Sequence, residues 1–183
     1  MSTDCYEVRA IRYARHMRRS PENFVGGDSH DVAMPLNYYV WVISNDERSI
    51  VVDTGFNEAM AAKRGREIVQ PVGAGLAALG IKAEEVDNVI VTHMHYDHAG
   101  NIPLFPRARF HLQDLEMQFA TGRCMCHSLL NHGYEAEDVV NLVRCVFDQR
   151  VQYHDGAAEV APGVEVHHIG GHTQGLQLSL IHI

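Results

Sequence analysis

Thr92-His93-Met94-His95-Tyr96-Asp97-His98-Ala99-Gly100 sets three histidines and an aspartate within six consecutive positions, directly after the apolar run 89–91. Imidazole nitrogens and a carboxylate are the donors that Zn²⁺ and similar divalent ions prefer. In an extended or tightly turning segment, residues two apart point the same way. His93 and His95 can therefore clamp one ion while Asp97 and His98 reach a second. Two ions a few ångströms apart activate a hydroxide between them. The preceding β-branched residues, 86–92, predict a buried strand, and strand ends are where α/β sheets place their sites. The stretch reads as part of a metal-dependent hydrolase.

The chain has 183 residues, enough for one domain with its own core. Its formal net charge of −8 argues against a phosphate-tracking surface, so no nucleic-acid partner is expected. No apolar stretch reaches membrane-span length, and no apolar leader follows Met1, so no membrane partner and a cytoplasmic location are expected. Arg9, Arg12, Arg15, Arg18 and Arg19 read as a solvated strand face, because Asp4 and Glu7 sit among them. Cys5, Cys124, Cys126 and Cys145 are too few and too scattered for a disulfide framework. Cys124-Met125-Cys126-His127 lacks the spacing of common zinc knuckles and reads as reduced thiols on a loop.

Residues 6–13 predict a strand, and 37–43 with 49–52 predict a hairpin turning at Asn45-Asp46. Helices are expected over 57–66, 72–79, 113–120 and 135–148, a helical turn over 83–86, and further strands over 107–112, 150–154 and 164–169. This order suggests an α+β fold, a mixed sheet with helices packed on it.

Gly170-Gly171-His172-Thr173-Gln174-Gly175 follows the last expected strand. A histidine flanked by glycines sits where backbone can approach a ligand closely. His172 would complete a three-histidine site with His93 and His95, leaving a position open for water. Asp53, in Asp53-Thr54-Gly55, reads equally well as a carboxylate orienting a ligand histidine or as a turn residue closing its strand.

Taken together, Val51-Val52-Asp53-Thr54-Gly55, the 92–100 cluster and Gly171-His172-Thr173-Gln174-Gly175 resemble the metallo-β-lactamase superfamily over nearly the whole chain. Glu22-Asn23-Phe24, Gly26-Gly27-Asp28, Met34-Pro35-Leu36 and Gly122-Arg123-Cys124-Met125-Cys126-His127 look like its N-acyl-homoserine lactonase branch. The resemblance implies an αββα sandwich with a dinuclear metal site. By position His93, His95 and His172 would hold the first ion, and Asp97 and His98 the second. The implied ions are zinc, with iron, cobalt or manganese as alternatives.

The family pattern also asks for a bridging aspartate and a distal histidine after the His172 motif. The chain stops at Ile183, eleven residues past His172, and His182 is too close to be that histidine. Residues 1–177 are therefore expected to be the N-terminal part of one such domain, incomplete at the C-terminus. Residues 178–183, Leu178-Ser179-Leu180-Ile181-His182-Ile183, back-translate with one codon choice to the start of a transposase-based sequencing adapter, and are expected to be non-native. The full-length parent is expected to bind two ions, and the chain as written at most one well.

The resemblance implies hydrolysis of a small-molecule ester or lactone, namely ring opening of N-acyl-homoserine lactones (quorum quenching). Asp97 would act as catalytic proton carrier to the leaving oxygen. Residues 113–132 are the candidate pocket wall, with Met117, Phe119, Met125 and Leu129 either meeting an acyl chain or packing in the core. The competing readings are a glyoxalase II-like thioesterase or other lactonase, and a non-catalytic one-metal fragment. Flavodiiron-type redox chemistry is disfavoured because such proteins carry a carboxylate where His95 stands. A nuclease of the superfamily finds no support in the charge.

Overall fold

A computed structural model describes residues 5–181 of the chain; His182 and Ile183, the end of the expected non-native tail, lie outside them. Strands β1 (Glu7–His16), β2 (Leu36–Ser44) and β3 (Ser49–Val52) form an antiparallel meander. The β2–β3 turn is built by Asn45, whose Oδ1 accepts the backbone N–H of Glu47 and of Arg48, each at 3.0 Å. Helix α1 (Glu58–Arg64) starts where Asn57 accepts the Met60 N–H at 2.9 Å. The two-residue strand β4 (Glu67–Ile68) and helix α2 (Val72–Ala78) follow.

Strand β5 (Asn88–Ile90) leads into the histidine cluster and the one-turn helix α3 (Tyr96–Ala99). Next come β6 (Arg109–Gln113), α4 (Asp114–Thr121), α5 (Ser128–Asn131) and α6 (Ala136–Phe147). Strands β7 (Val151–His154), β8 (Ala158–Ala161), β9 (Val164–His168) and β10 (Gln177–Ile181) complete the order. Residues 178–181 of the expected tail thus lie in β10, paired antiparallel to β9.

Two sheets result. The larger has seven strands in the order β4-β1-β2-β3-β5-β6-β7, the smaller three in the order β10-β9-β8. Period-two alternation sends side chains of the large sheet to two different cores. Val40, Val42, Val51 and Val89 join Leu76 of α2 and Leu142 of α6 beneath the helices. Ile43, Ile50, Val52 and Ile90 point the other way and meet Val164 and Val166 of β9. Strands covered on both faces must be apolar on both, which is why Val89, Ile90 and Val91 follow one another without a polar break. The architecture is a helix layer, a mixed sheet and a second sheet, as expected for the sandwich.

Two buried glutamines fasten the second sheet to the first. Gln177 Nε2 donates to the carbonyls of Val91 and His111, and Gln113 Nε2 donates to Gln177 Oε1, all at 2.9 Å. Among the described residues no helix is long and apolar enough to cross a membrane. The four cysteines carry free thiols, Cys126 exposed and Cys145 buried.

Candidate metal centre

The strand β5 is shorter than the sequence predicts. The chain leaves the ladder after Ile90, and residues 91–95 run as irregular backbone before α3 begins at Tyr96. That exit turns the histidines off the end of the sheet. His93 Nε2 lies 3.2 Å from His95 Nδ1, and His172 Nε2, from the loop after β9, lies 3.1 Å from the same atom. One nitrogen of each ring falls within 4.8 Å of the other two. Three imidazole nitrogens facing one another suit a shared cation better than one another, so the donor set fits a divalent ion.

Burial, then the neighbouring His98, His95 and His172, push His93 well below the usual imidazole range. Burial first, then His172, His98 and Arg64, lower His95 to about 4. Neutral rings are the form that binds metal. His98 goes the other way. Burial opposes its charge, but Asp53, Asp97 and Glu116 outweigh it and raise His98 to about 9.

The Asp53 carboxylate stands behind the cluster. Its Oδ2 is 2.7 Å from His98 Nδ1, and its Oδ1 accepts the Thr92 N–H at 2.8 Å. The residue therefore orients a histidine and closes its strand at once. To do so it adopts φ 64°, a left-handed conformation costly for a residue with a Cβ. Its neighbours hold that turn: Asp53 N–H donates to Ile90 O, and Thr54 N–H to His98 O, at 2.8 and 2.7 Å. With Nδ1 engaged by Asp53, His98 presents Nε2, which lies 3.6 Å from Asp97 Oδ2. The two residues expected at a second ion thus face each other beside the trio.

Glu116 is the residue that sequence reasoning missed. It is fully buried at the start of α4. Its Oε1 accepts the Met94 N–H at 2.8 Å and the Tyr134 hydroxyl at 2.9 Å, and its Oε2 accepts the Gly175 N–H at 3.1 Å. One carboxylate thereby ties the His93–His95 segment to the loop bearing His172. Gly175 is required there, because a Cβ would lie 2.1 Å from the Glu116 backbone nitrogen. In sequence, Glu116 looks like any acid in the first turn of a helix.

Of the candidate wall, Met117, Phe119 and Met125 pack against the main core, while Leu129 is 87% exposed. Arg64 lies with its guanidinium carbon 3.9 Å from the Tyr96 ring centroid and donates to His132 O at 3.0 Å.

Residues 33–117 match the model of the metallo-beta-lactamase superfamily. An N-acyl homoserine lactonase of Bacillus sp. is 25% identical over 163 residues, which is 81% of this chain and 59% of that protein. A hydroxyacylglutathione hydrolase of Aeromonas hydrophila is 27% identical over 141 residues, 75% of this chain and 40% of that protein. A probable metallo-hydrolase of Mycobacterium tuberculosis is 28% identical over 106 residues, covering 51% of this chain and 34% of its own length. The chain thus spans between about a third and three fifths of these relatives. Among solved structures, a quorum-quenching N-acyl homoserine lactone lactonase superposes with TM-score 0.77 at 22% identity, over 99% of this chain and 70% of that one.

Proposed function

From the match of residues 33–117 to the metallo-beta-lactamase superfamily, we propose that the protein is a metal-dependent hydrolase that opens the ring of N-acyl-homoserine lactones. The observation that carries this reading is the convergence of His93, His95 and His172 from two loops far apart in sequence. The trio would hold one divalent ion through neutral imidazoles, and Asp97 with His98 would hold a second, His98 releasing its Nε2 proton as that ion binds; zinc suits these donors. When bound, such ions supply Lewis acidity and lower the pKa of a water towards neutrality.

The chain's own groups do the rest. Asp53 fixes the ring orientation of His98 through Nδ1, so that Nε2 alone faces the site. Glu116 keeps the two histidine loops in register. Asp97 has a side chain 21% exposed, open to solvent and substrate, and it carries a proton to the alkoxide oxygen released as the ring opens. The likeness to lactonases in both sequence and fold supports lactone as the substrate class.

A second reading, thioester hydrolysis, is favoured by the likeness to the hydroxyacylglutathione hydrolase. The test compares kcat/KM on N-hexanoyl-homoserine lactone and on S-lactoylglutathione, with bound metal counted by atomic emission. Lactone hydrolysis that is lost on chelation, restored by zinc and absent in His172→Ala supports the proposal. Turnover of the thioester alone moves the assignment to the second reading. One ion per chain without hydrolysis of either substrate makes the chain a metal-binding module.

A further inference from the structure

Adjacent residues of a strand point to opposite faces of its sheet, yet Tyr13 and Ala14 of β1 are both fully buried in the core beneath the helices. The register explains it. Arg12 pairs with Tyr39 and Ala14 with Tyr38, so Tyr13 is an extra residue, a β-bulge in the β1–β2 ladder. Bulges re-aim a side chain and gather beside active sites.

The bulge aims Tyr13 at α3. Its hydroxyl donates to Asp97 O at 2.9 Å, across 84 residues. In a longer helix that carbonyl would accept the Asn101 N–H, but α3 ends at Ala99. The Gly100 and Asn101 N–H groups donate elsewhere, to Gly55 O at 2.8 Å and Thr54 Oγ1 at 3.0 Å. The phenol takes the carbonyl they leave. Its ring is itself held: Phe56 meets it edge-on with centroids 4.9 Å apart, and at Gly55 a Cβ would lie 2.8 Å from Tyr13 Cζ. The glycine of Asp53-Thr54-Gly55 thus admits the tyrosine that reaches Asp97. A one-turn helix has little stability of its own, so its orientation is imposed by such outside bonds. With it is set the Asp97 carboxylate, whose Oδ2 lies 3.6 Å from His98 Nε2.

We propose that Tyr13 is a positioning residue of the metal centre: through the Asp97 carbonyl it keeps the Asp97 carboxylate beside His98, where a second ion and the leaving oxygen would meet it. This rests on the proton-carrying role of Asp97, and extends it to a residue that is fully buried and cannot touch substrate.

The test compares Tyr13→Phe with Tyr6→Phe. Tyr6 is also buried and also donates to a backbone carbonyl, Pro162 O at 2.8 Å, but it packs in the core between the sheets. Either change removes a bond of the same kind, so an effect peculiar to position 13 is not general loosening. In the metal-free, isotope-labelled chain, the Hα–Hβ couplings of Asp97 should show a single rotamer in the parent and in Tyr6→Phe, and averaging in Tyr13→Phe. In the zinc-loaded protein, Tyr13→Phe should lower kcat about tenfold with KM unchanged, and hold the ion of the trio within about threefold of the parent. Added to Asp97→Asn, it should lower kcat no further. Unaltered couplings, an equal effect of Tyr6→Phe, or an undiminished effect on top of Asp97→Asn would each overturn the proposal. Should Tyr13→Phe not fold, the Tyr13 hydroxyl proton of the parent decides: slow exchange with cross-relaxation to the α3 amides supports the proposal, and fast exchange overturns it. A parent that hydrolyses neither lactone nor thioester sinks the hydrolase reading, and the couplings then decide by themselves whether Tyr13 places the carboxylate.

Discussion

Gly133 faces the imidazole of His95 so closely that a Cβ built on it would lie 2.7 Å from Cδ2 and Nε2 of the ring. The same glycine fixes the start of α3, since Gly133 O accepts the Tyr96 N–H at 2.8 Å. The ring and the backbone beyond it are packed as one unit. Gly133→Ala must therefore displace His95 from its partners His93 and His172. We expect zinc affinity to fall roughly 10–100-fold, the range seen when the orientation of a ligand is disturbed. Competition with a chromophoric chelator measures it, and an unchanged affinity would show that the ring gives way freely.

Glu116→Gln puts an amide NH₂ where one carboxylate oxygen accepts a backbone N–H, from Met94 on one side or Gly175 on the other. A donor then meets a donor in a fully buried place. The expected cost is about 1–3 kcal/mol of stability without metal, read by urea denaturation. Zinc affinity should fall as well, because the loops carrying His95 and His172 lose their common anchor. A loss of stability with unaltered affinity would reduce Glu116 to a packing role.

Asp53→Asn keeps the shape of the carboxylate but removes its charge from His98 Nδ1, 2.7 Å away. Hydrolysis should drop roughly 10–100-fold, while zinc held by the trio should bind within about threefold of the parent. Activity and first-ion affinity, measured on the same preparation, separate this outcome from general damage, which would lower both.

Asp138 predicts a pH dependence of stability. Burial first, then Glu135 and Glu137, raise its carboxyl to about 7, against the opposing pull of Arg64 and Lys63 on α1. A carboxyl raised in the folded state binds its proton more tightly there than in the unfolded chain. Its contribution is full below the ordinary carboxylate range and is lost as pH rises through about 7. Asp138→Asn should therefore gain on the parent between pH 5 and 7.5, at a slope of at most about 1.4 kcal/mol per pH unit. Parallel denaturation curves across that window would contradict the burial of the charge.

Much of the fold is written in periodicity. The hairpin at Asn45 and the amphipathic α6 follow from local pattern, and each forms close to where the sequence predicts. The two-residue β4 and the strands β8 and β10 carry no such pattern; they exist because a neighbouring edge supplies their hydrogen bonds. The end of β5 is likewise set by tertiary contacts. Asp53 draws the Thr92 N–H out of the ladder, so the strand stops at Ile90.

The sequence by itself determined the donor chemistry: which imidazoles and carboxylates are available, and that His93, His95, Asp97 and His98 are neighbours by chain adjacency. Only the tertiary structure decided that His172, 77 residues from His95, comes within 3.1 Å of it. It alone showed that Asp53 serves both histidine and strand, and that a single helix-start glutamate joins the two loops. The physical reason is range. Ligand type and spacing are covalent properties of a short segment, whereas Glu116 works through backbone N–H groups 22 and 59 residues away, which every residue except proline possesses and no local pattern marks.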